Sequence, residues 1–276
     1  MLLTALGAAV AAQMLAPIAE WLGRERRAAD LNAAYTLADA ASAWALTVLA
    51  ADRLRGDADH LGEPWATRLP ATPIEGGVLE GYIVDLQAQF NLNSLVDRGV
   101  AVPAVVAAAR RVFAARGLDP SLADRLADAL DADDLTASGQ SEQQRYGRRL
   151  PNQPLSDLAD LERIPGFGEA AISALAGHVA VLPTPTRVNA NTAEVALLAV
   201  LLPEVEPAAL TRFIEERGAR PLISAAELPA RLRGTQPEGL LSAGSDYFGV
   251  EARIRYGSVD HRLQLRIHRP ATARLS

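Results

Sequence analysis

Four acidic side chains in the middle of the chain have the types and spacing that a cation site needs. Asp131, Asp133 and Asp134 follow the end of a predicted helix, and Glu142 comes eight residues later in a polar stretch. The carboxyl-terminal end of a helix dipole disfavours further negative charge, so these acids require either a cation or full solvation. Calcium takes about six to eight oxygen ligands. The sequence predicts a calcium site formed by these four residues. A solvated acidic loop is the alternative, which the amides that follow Glu142 favour.

No pattern of catalytic residues accompanies these acids. The four histidines (His60, His178, His261 and His268) are far apart or on a predicted strand, and none has metal-ligand spacing. The sequence also contains no Gly-x-Ser-x-Gly elbow, Walker loop or dinucleotide fingerprint. It contains no cysteine, which removes disulfides, thiolate metal sites and cysteine nucleophiles. We therefore assign no catalytic residue and predict that the protein is not an enzyme.

A glycine-containing turn at residues 164–168 (Ile-Pro-Gly-Phe-Gly) resembles the turn of a helix-hairpin-helix motif. In that motif paired glycines expose backbone amides to nucleic-acid phosphates. Residues 188–194 add to the likeness with DNA-uptake domains of that class. Charge opposes this use, because residues 157–220 contain nine acids against five arginines and the chain has a formal net charge of −6. A membrane-anchored DNA-binding protein is kept as the alternative function, and a tight interhelical turn is the expected structural role.

The amino-terminal part of the chain is typical of one long helix. Its first nineteen residues carry no charge, and as a helix they would span about 28 Å, near the thickness of a bilayer core. Trp21 follows at the position of an interfacial aromatic residue. Glycine and proline are absent between Arg24 and Arg55. We therefore predict a single helix that is transmembrane at first and amphipathic up to about Arg55.

The amphipathic part of this helix is expected to serve both the protein's own sheet and its partners. Apolar residues recur at helical spacing at Leu37, Ala41, Trp44 and Val48. We expect Trp44 and Val48 to pack on the protein's own sheet. Leu31 and Tyr35 lie closer to the membrane, beyond the expected reach of that sheet. They are predicted to contact partner helices.

Alternating apolar and polar residues predict antiparallel strands on either side of a helical block. One strand covers residues 82–90, and two more, at residues 248–256 and 263–267, form a terminal hairpin. The predicted class is α+β: a long amino-terminal helix plus an antiparallel sheet, with an all-helical domain inserted between strands. The predicted segments are 1–55 for the helix, 56–95 for the first part of the β core, 96–240 for the inserted domain and 241–276 for the final hairpin.

Two kinds of short sequence occur twice within the central block. Asn-x-Asn appears at residues 91–93 and again at 189–191, and both are predicted as junctions between a strand and a helix. Residues 154–161 resemble residues 221–228, and in each a capping residue stands three positions before an acid, which predicts a helix start. Residues 131–149 are predicted as a long loop, of a kind that is often functional.

Taken in order, these pieces resemble the type II secretion minor pseudopilin K family (general secretion pathway protein K). The order and spacing of the motifs make the resemblance specific, and they extend over nearly the whole chain. The motifs are residues 2–6 (Leu-Leu-Thr-Ala-Leu), 85–93 (Asp-Leu-Gln-Ala-Gln-Phe-Asn-Leu-Asn), 131–134 (Asp-Ala-Asp-Asp), 151–155 (Pro-Asn-Gln-Pro-Leu) running to 160–161, 188–192 (Val-Asn-Ala-Asn-Thr) and 245–248 (Ser-Asp-Tyr-Phe).

The resemblance implies a pilin-like core with an inserted helical domain and no enzymatic activity. It implies a single-pass protein of the inner membrane with its body in the periplasm, and calcium bound in that body. The implied partners are minor pseudopilins I and J, the major pseudopilin filament and the lipid bilayer. The implied role is to cap the pseudopilus tip and so support protein export across the outer membrane.

The amino end departs from the family in one respect and from most pilins in another. Family precursors carry a short basic leader that prepilin peptidase removes, whereas this sequence starts at the apolar run, so the peptidase is a partner if a leader exists. Most pilins have a glutamate at the fifth mature position, which pairs with the amino terminus of a neighbouring subunit. Ala5 stands there in this sequence, and the first acid is Glu20. A subunit without that carboxylate suits a cap, because no subunit has to stack above it.

Overall fold

The chain forms two compact units. The computed structural model describes residues 2–233 and 239–270, and for residues 2–16 and Ala19 it describes the helical backbone only. We call the first unit the sheet unit and the second the helical unit. The sheet unit comprises Met1–Asp52, Pro64–Val84 and Gly249–Ile267. The helical unit comprises Arg53–Glu63, Asp85–Phe248 and His268–Ser276.

The sheet unit consists of one long helix and a four-stranded sheet in the order β1-β2-β9-β10. The elements are α1 (Leu2–Arg53), β1 (Leu69–Ile74), β2 (Gly77–Asp85), β9 (Tyr247–Tyr256) and β10 (Val259–His268), with a 3-10 turn at Pro64–Ala66. Strand β2 runs antiparallel to β1, and Gly77 and Gly81 of β2 lie against Arg255 and Glu251 of β9, so this pair is antiparallel too. The long helix, the antiparallel sheet and the terminal hairpin confirm the predicted α+β class.

Helix α1 ends at Arg53, two residues before the predicted end. Within the described residues, the stretch Glu20–Arg53 is long and apolar enough, by length and composition, to cross a membrane. A core helix that lies on its own sheet meets the same test, and Ala34 and Ala38 are buried in a cluster with Ala252 and Ile254 of β9. The span predicted over the first nineteen residues lies largely outside the residues whose side chains are described.

The buried face of α1 is shifted by about one residue along the chain from the predicted face. Ala34, Ala38, Ala45 and Leu49 are buried, while Trp44 is 49% exposed. The prediction that Trp44 packs on the protein's own sheet is therefore wrong in part. Alanine stands at most of the buried positions, and its small side chain leaves little for an apolar pattern based on large residues to detect.

Strand β2 is shorter than predicted because the chain turns at its last residue. The predicted strand covers residues 82–90, but β2 stops at Asp85 and a 3-10 turn follows at Leu86–Ala88. The buried carboxylate of Asp85 accepts a hydrogen bond from the backbone N–H of Gln87 at 2.8 Å and starts this turn. Phe90 and Leu92 then enter the core of the helical unit. The helical unit thus begins about ten residues before the predicted boundary.

The helical unit contains seven short α-helices and three two-stranded ladders among the described residues. The helices are α2 (Pro103–Ala115), α3 (Leu122–Leu130), α4 (Glu142–Tyr146), α5 (Glu169–Leu175), α6 (Val195–Leu201), α7 (Pro207–Arg217) and α8 (Leu228–Arg231). The strands are β3 (Phe90–Asn91), β4 (Val96–Asp97), β5 (Val100–Ala101), β6 (Val179–Ala180), β7 (Val188–Asn189) and β8 (Leu241–Ser242), and 3-10 turns occupy Leu92–Leu95, Leu158–Arg163 and Ala225–Glu227.

This unit is built from two copies of one motif, and the paired Asn-x-Asn sequences are its centres. The Nδ2 group of Asn93 donates to the carbonyls of Leu155 and Leu182, both at 2.8 Å, and its Oδ1 accepts from the N–H of Leu155 at 2.9 Å. Asn191 repeats this pattern with Leu222 and Ala243, at 2.9, 3.1 and 2.8 Å. Each asparagine is buried. Both are therefore bridges between distant backbone segments as well as junctions.

The rest of the motif is also duplicated. Strand β3 pairs in parallel with β6, and β7 pairs in parallel with β8. The predicted capping residues form complete capping boxes, Asp157 with Asp160 and Ser224 with Glu227. They start 3-10 turns rather than the α-helices that the capping pattern suggests. The resemblance between residues 154–161 and 221–228 reflects this duplication.

Candidate functional site

The predicted acidic loop is an insertion in the first copy of the motif. In the second copy, three residues, 218–220, join α7 to Pro221, whereas in the first copy residues 131–153 join α3 to Pro154. The two ends of this insertion meet, because the N–H of Gln153 donates to the carbonyl of Ala129 at 3.2 Å. The motif therefore closes without the insertion, and we call residues 131–153 the acidic insert.

The acidic insert has structure that the sequence did not predict. Residues 131–149 were expected to form a loop, but α4 lies within them and Gly147 ends this helix in the left-handed conformation at a φ of 72°. An isolated bridge joins Leu135 to Ser141, and the N–H of Thr136 donates to the carbonyl of Gln140 at 2.8 Å. A five-residue helix has too few turns to show a periodic pattern.

Glu142 is fully buried at the start of α4, and neither oxygen of its carboxylate has a hydrogen-bond partner. Burial, with a contribution from the nearby Asp128 and Asp131, raises its pKa to about 7. A buried carboxylate without partners is costly unless it is protonated or meets a cation. This side chain is the strongest sign of a ligand in the helical unit.

Asp131 is a second buried carboxylate with an oxygen that lacks a hydrogen-bond partner. The residue is buried, and its Oδ1 atom has no hydrogen-bond partner. Burial, together with Asp133 and Asp128, raises its pKa to about 6. Of the four predicted ligands, the structure therefore places Asp131 and Glu142 in a buried acidic cluster.

The other two predicted ligands have partners within the acidic insert. Asp134 forms an ion pair with Arg149 and accepts a hydrogen bond from Asn152 at 3.2 Å, and the ion pair lowers its pKa. Asp133 is exposed, and its Oδ1 accepts from the N–H of Leu135 at 2.7 Å. These contacts, together with hydrogen bonds from Asn152 to the carbonyl of Asp133 and from the N–H of Glu142 to the carbonyl of Asp134, fix the backbone of the insert.

The structure adds one acid that the sequence did not indicate. Asp128 of α3 is 4% exposed, and its Oδ2 accepts a hydrogen bond from the hydroxyl of Tyr146 at 2.6 Å. Burial raises its pKa. Leu122, Leu126 and Leu130 define the apolar face of α3, and Asp128 lies on the opposite side of the helix, where solvent is expected. Only the folding of the acidic insert over that side buries it.

These residues fit a hard divalent cation in chemistry. Carboxylate and carbonyl oxygens are the ligands that calcium prefers, and three buried oxygens, on Glu142 and Asp131, lack partners. In the described part of the chain, no three carboxylates of this cluster bring oxygens within 4.8 Å of one another. Rotation of these side chains is therefore needed to close the cluster around an ion.

The two predicted partner residues on α1 behave differently from expectation. Leu31 is 36% exposed and Tyr35 48% exposed, which leaves both accessible. However, the ring of Tyr35 contacts His261 of β10 edge-on, with centroids 5.1 Å apart. Asp30 also accepts hydrogen bonds from the N–H and hydroxyl of Ser258, at 2.9 and 3.0 Å. The expectation that the sheet does not reach Tyr35 is wrong, because β10 contacts its ring and the β9–β10 turn extends to Asp30.

The turn at residues 164–168 is occupied from within the protein. Arg125 donates a hydrogen bond to the carbonyl of Pro165, and its guanidinium lies against Gly166. Gly166 has a φ of 94°, and a Cβ there would lie 2.3 Å from that guanidinium. The glycine is therefore required for this internal contact, which accounts for it without a nucleic acid.

A long amino-terminal helix on a short antiparallel sheet, with a helical unit inserted between two strands, defines the protein as a pseudopilin. Two family models match the chain, at residues 88–184 and 188–251, and both are described as "Type II secretion system (T2SS), protein K". Together they cover more than half of the chain, and their bounds follow the two copies of the motif. The chain belongs to the type II secretion system protein K family, a structural component of that system and not an enzyme.

Curated relatives agree with this assignment. Type II secretion system protein K of Pseudomonas aeruginosa is 32% identical over 222 residues, which are 75% of this chain and 66% of that protein. The Klebsiella pneumoniae protein of the same name is 32% identical over 52% of this chain and 49% of its own length. The chain thus spans less than two thirds of either relative.

A solved structure shows the same fold. The chain resembles one chain of the crystal structure of the GspK–GspI–GspJ complex from the enterotoxigenic Escherichia coli type 2 secretion system. The TM-score is 0.70 at 23% identity, and the match covers 90% of this chain and 94% of that one. The family assignment replaces the DNA-binding alternative.

Proposed function

We propose that this pseudopilin caps the tip of the pseudopilus, in complex with minor pseudopilins I and J and above the filament of major pseudopilin. Its α1 helix anchors it in the inner membrane, its body lies in the periplasm, and the assembly supports protein export across the outer membrane. The observation that carries the proposal is the insertion of the helical unit between β2 and β9, which adds a large body to a pseudopilin core. The relative in the GspK–GspI–GspJ complex, which shares this fold, supports the choice of partners.

Co-purification tests this proposal. The full chain, tagged and extracted in detergent, is expected to retain minor pseudopilins I and J of the same system in stoichiometric amounts. An unrelated single-pass membrane protein, expressed in place of I and J, serves as the control for non-specific association of apolar helices. Failure of both I and J to co-purify contradicts the assignment.

Within α1, Leu31 is the better of the two partner residues because Tyr35 also packs on the chain's own sheet. Leu31→Glu places a charge on a surface that the partner helices cover, and it is expected to abolish retention of I and J while the melting temperature stays unchanged. Leu46 is also on α1 and is 51% exposed, so Leu46→Glu is the matched control. Equal loss of complex in both variants removes Leu31 from the interface.

A second proposed property is calcium binding by the acidic insert, through Glu142, Asp131 and oxygens of residues 133–134. The buried carboxylates without partners support it. Binding to the native state alone raises the melting temperature as calcium passes its dissociation constant. Glu142→Gln is expected to abolish that rise, and Glu162→Gln, at an exposed glutamate of the same unit, is expected to keep it. A wild-type melt that millimolar calcium leaves unchanged shows that the insert is a polar loop without a cation.

A further inference from the structure

We propose that Tyr146 is a positioning residue for the calcium site: its hydroxyl holds Asp128 as a further ligand, and its ring connects the site to the turn at residues 164–168 through Arg125. The inference rests on the calcium binding proposed above and names how the site is completed and what it controls. Neither Asp128 nor Tyr146 belongs to the set of ligands that the sequence predicts.

Asp128 is placed to act with Glu142. Tyr146, one turn along α4 from Glu142, donates a hydrogen bond to Asp128, so this carboxylate of α3 lies against α4. Asp128 is buried on α3 and accepts hydrogen bonds from two neutral groups, the hydroxyl of Tyr146 and the backbone N–H of Ala137. Two buried carboxylates in one cluster repel each other without a cation, and a divalent ion bound by both removes that repulsion.

Tyr146 holds Asp128 from the other end of α4. Glu142 and Tyr146 are four residues apart, so both side chains lie on the same face of this helix and point to α3. The hydroxyl of Tyr146 donates to Oδ2 of Asp128 at 2.6 Å and so orients this carboxylate. Carboxylate ligands are commonly held by such an outer hydrogen bond, and its loss typically weakens metal affinity about 10- to 100-fold.

The ring of Tyr146 also contacts Arg125, whose guanidinium lies 5.1 Å from the ring centroid. The same guanidinium donates to the carbonyl of Pro165 and fills the space above Gly166. A continuous set of contacts therefore runs from Glu142 and Asp128 through Tyr146 to the turn at residues 164–168. An ion that fixes α4 also fixes the ring on which Arg125 lies, so calcium is expected to order this turn.

Calcium titration of the full chain in detergent tests the first half of the inference. Tyr146→Phe keeps the ring and removes the hydroxyl, and it is expected to weaken calcium binding about 10-fold in calorimetry. Asp128→Asn is expected to weaken it at least as much. The control is Tyr247→Phe, which removes another hydroxyl contact, to Thr184 at 2.9 Å, from a buried tyrosine of the same unit. It should lower the calcium-free melting temperature as Tyr146→Phe does and leave the affinity unchanged.

Hydrogen exchange tests the second half. Calcium is expected to slow amide exchange at residues 166–168 in the wild type and to lose this effect in Arg125→Met. Equal calcium affinities in the wild type and Tyr146→Phe overturn the inference while the calcium site stands. Amide exchange at residues 166–168 that is the same with and without calcium does so too. A wild-type chain that binds no calcium overturns both the site and the inference.

Discussion

At the scale of single residues, asparagine side chains take the place of a backbone ladder in the helical unit. Asn93 and Asn191 each satisfy three buried backbone groups that belong to segments far apart in the chain. Their planar amide carries donors and an acceptor side by side, which matches the N–H and the carbonyl of one extended residue. The Asn-x-Asn spacing is thus a structural requirement of the motif.

Asn93→Ala is expected to lower the free energy of unfolding by about 3 kcal/mol or more, because several buried backbone groups lose their partners at once. Asn191→Ala should have a similar effect, since its hydrogen bonds are equivalent. Denaturant titration measures both, and Asn32→Ala on the exposed side of α1 is the control, expected within about 0.5 kcal/mol of the wild type. A loss below about 1 kcal/mol in both variants would contradict the bridging role.

The buried acids predict how the calcium-free protein responds to pH. The folded-state pKa of Glu142, about 7, lies above its ordinary value of 4.5, so the folded chain binds this proton more tightly than the unfolded chain does. The stability that the proton provides is present below about pH 4.5 and is lost as the pH rises through 7. In chelator, Glu142→Gln should therefore melt a few degrees above the wild type at pH 8 and show little gain at pH 4.5. A gain that is the same at both pH values contradicts this assignment.

Residue types and spacing predicted part of the candidate site. Asp131 and Glu142 are polar residues in a stretch that shows no helix or strand periodicity, so their sequence context alone points to a special role. Asp128 could not be found in this way, because the 3.6-residue period of α3 puts it on the solvent side. Its burial depends on a long-range contact with Tyr146, and such contacts leave no local signal.

At the scale of elements, the acidic insert is separable from the motif that carries it. Replacing residues 131–153 by Gly-Ala-Arg, the link that the second copy has at residues 218–220, should give a folded chain because the ends of the insert already meet. Loss of the buried Leu150 and of Tyr146 packing should lower the melting temperature by roughly 5 to 10 °C. Circular dichroism should show native helix content, and calcium should no longer raise the melt. An unfolded product contradicts the duplication.

Elements with a strong periodic pattern were predictable, and those set by tertiary contacts were not. Pro103 begins α2, and the leucines of α3 are buried as expected, since both helices are long enough to show their period. The end of β2 was missed because alternation continues beyond Asp85 while its buried carboxylate turns the backbone. The four-residue 3-10 turn at Leu92–Leu95 and the two-residue strands are too short to show any periodicity in the sequence.

At the scale of the whole molecule, the two units differ in what they contain. The sheet unit has the helix and sheet that a pseudopilin needs to join a filament, and the helical unit has the acidic insert and the duplicated motif. Strands β2 and β9 are antiparallel neighbours, yet residues 86–246 separate them in the chain. The sheet unit can therefore close without the helical unit, through a short turn between those strands.

This property makes the proposed cap role testable. We expect the full chain, carrying a label, at one end of each pseudopilus only, because the helical unit adds a large body to the pseudopilin core. Replacing residues 85–248 by an Asn-Gly turn should join β2 to β9 as a hairpin, since that dipeptide favours the twist of two antiparallel strands. The shortened chain, no longer limited to the tip, should then label the filament at several points along its length. Electron microscopy of labelled pseudopili measures both, with labelled major pseudopilin as the control for regular incorporation. Full-length chain at regular intervals along the filament would show that it is an ordinary subunit of the shaft.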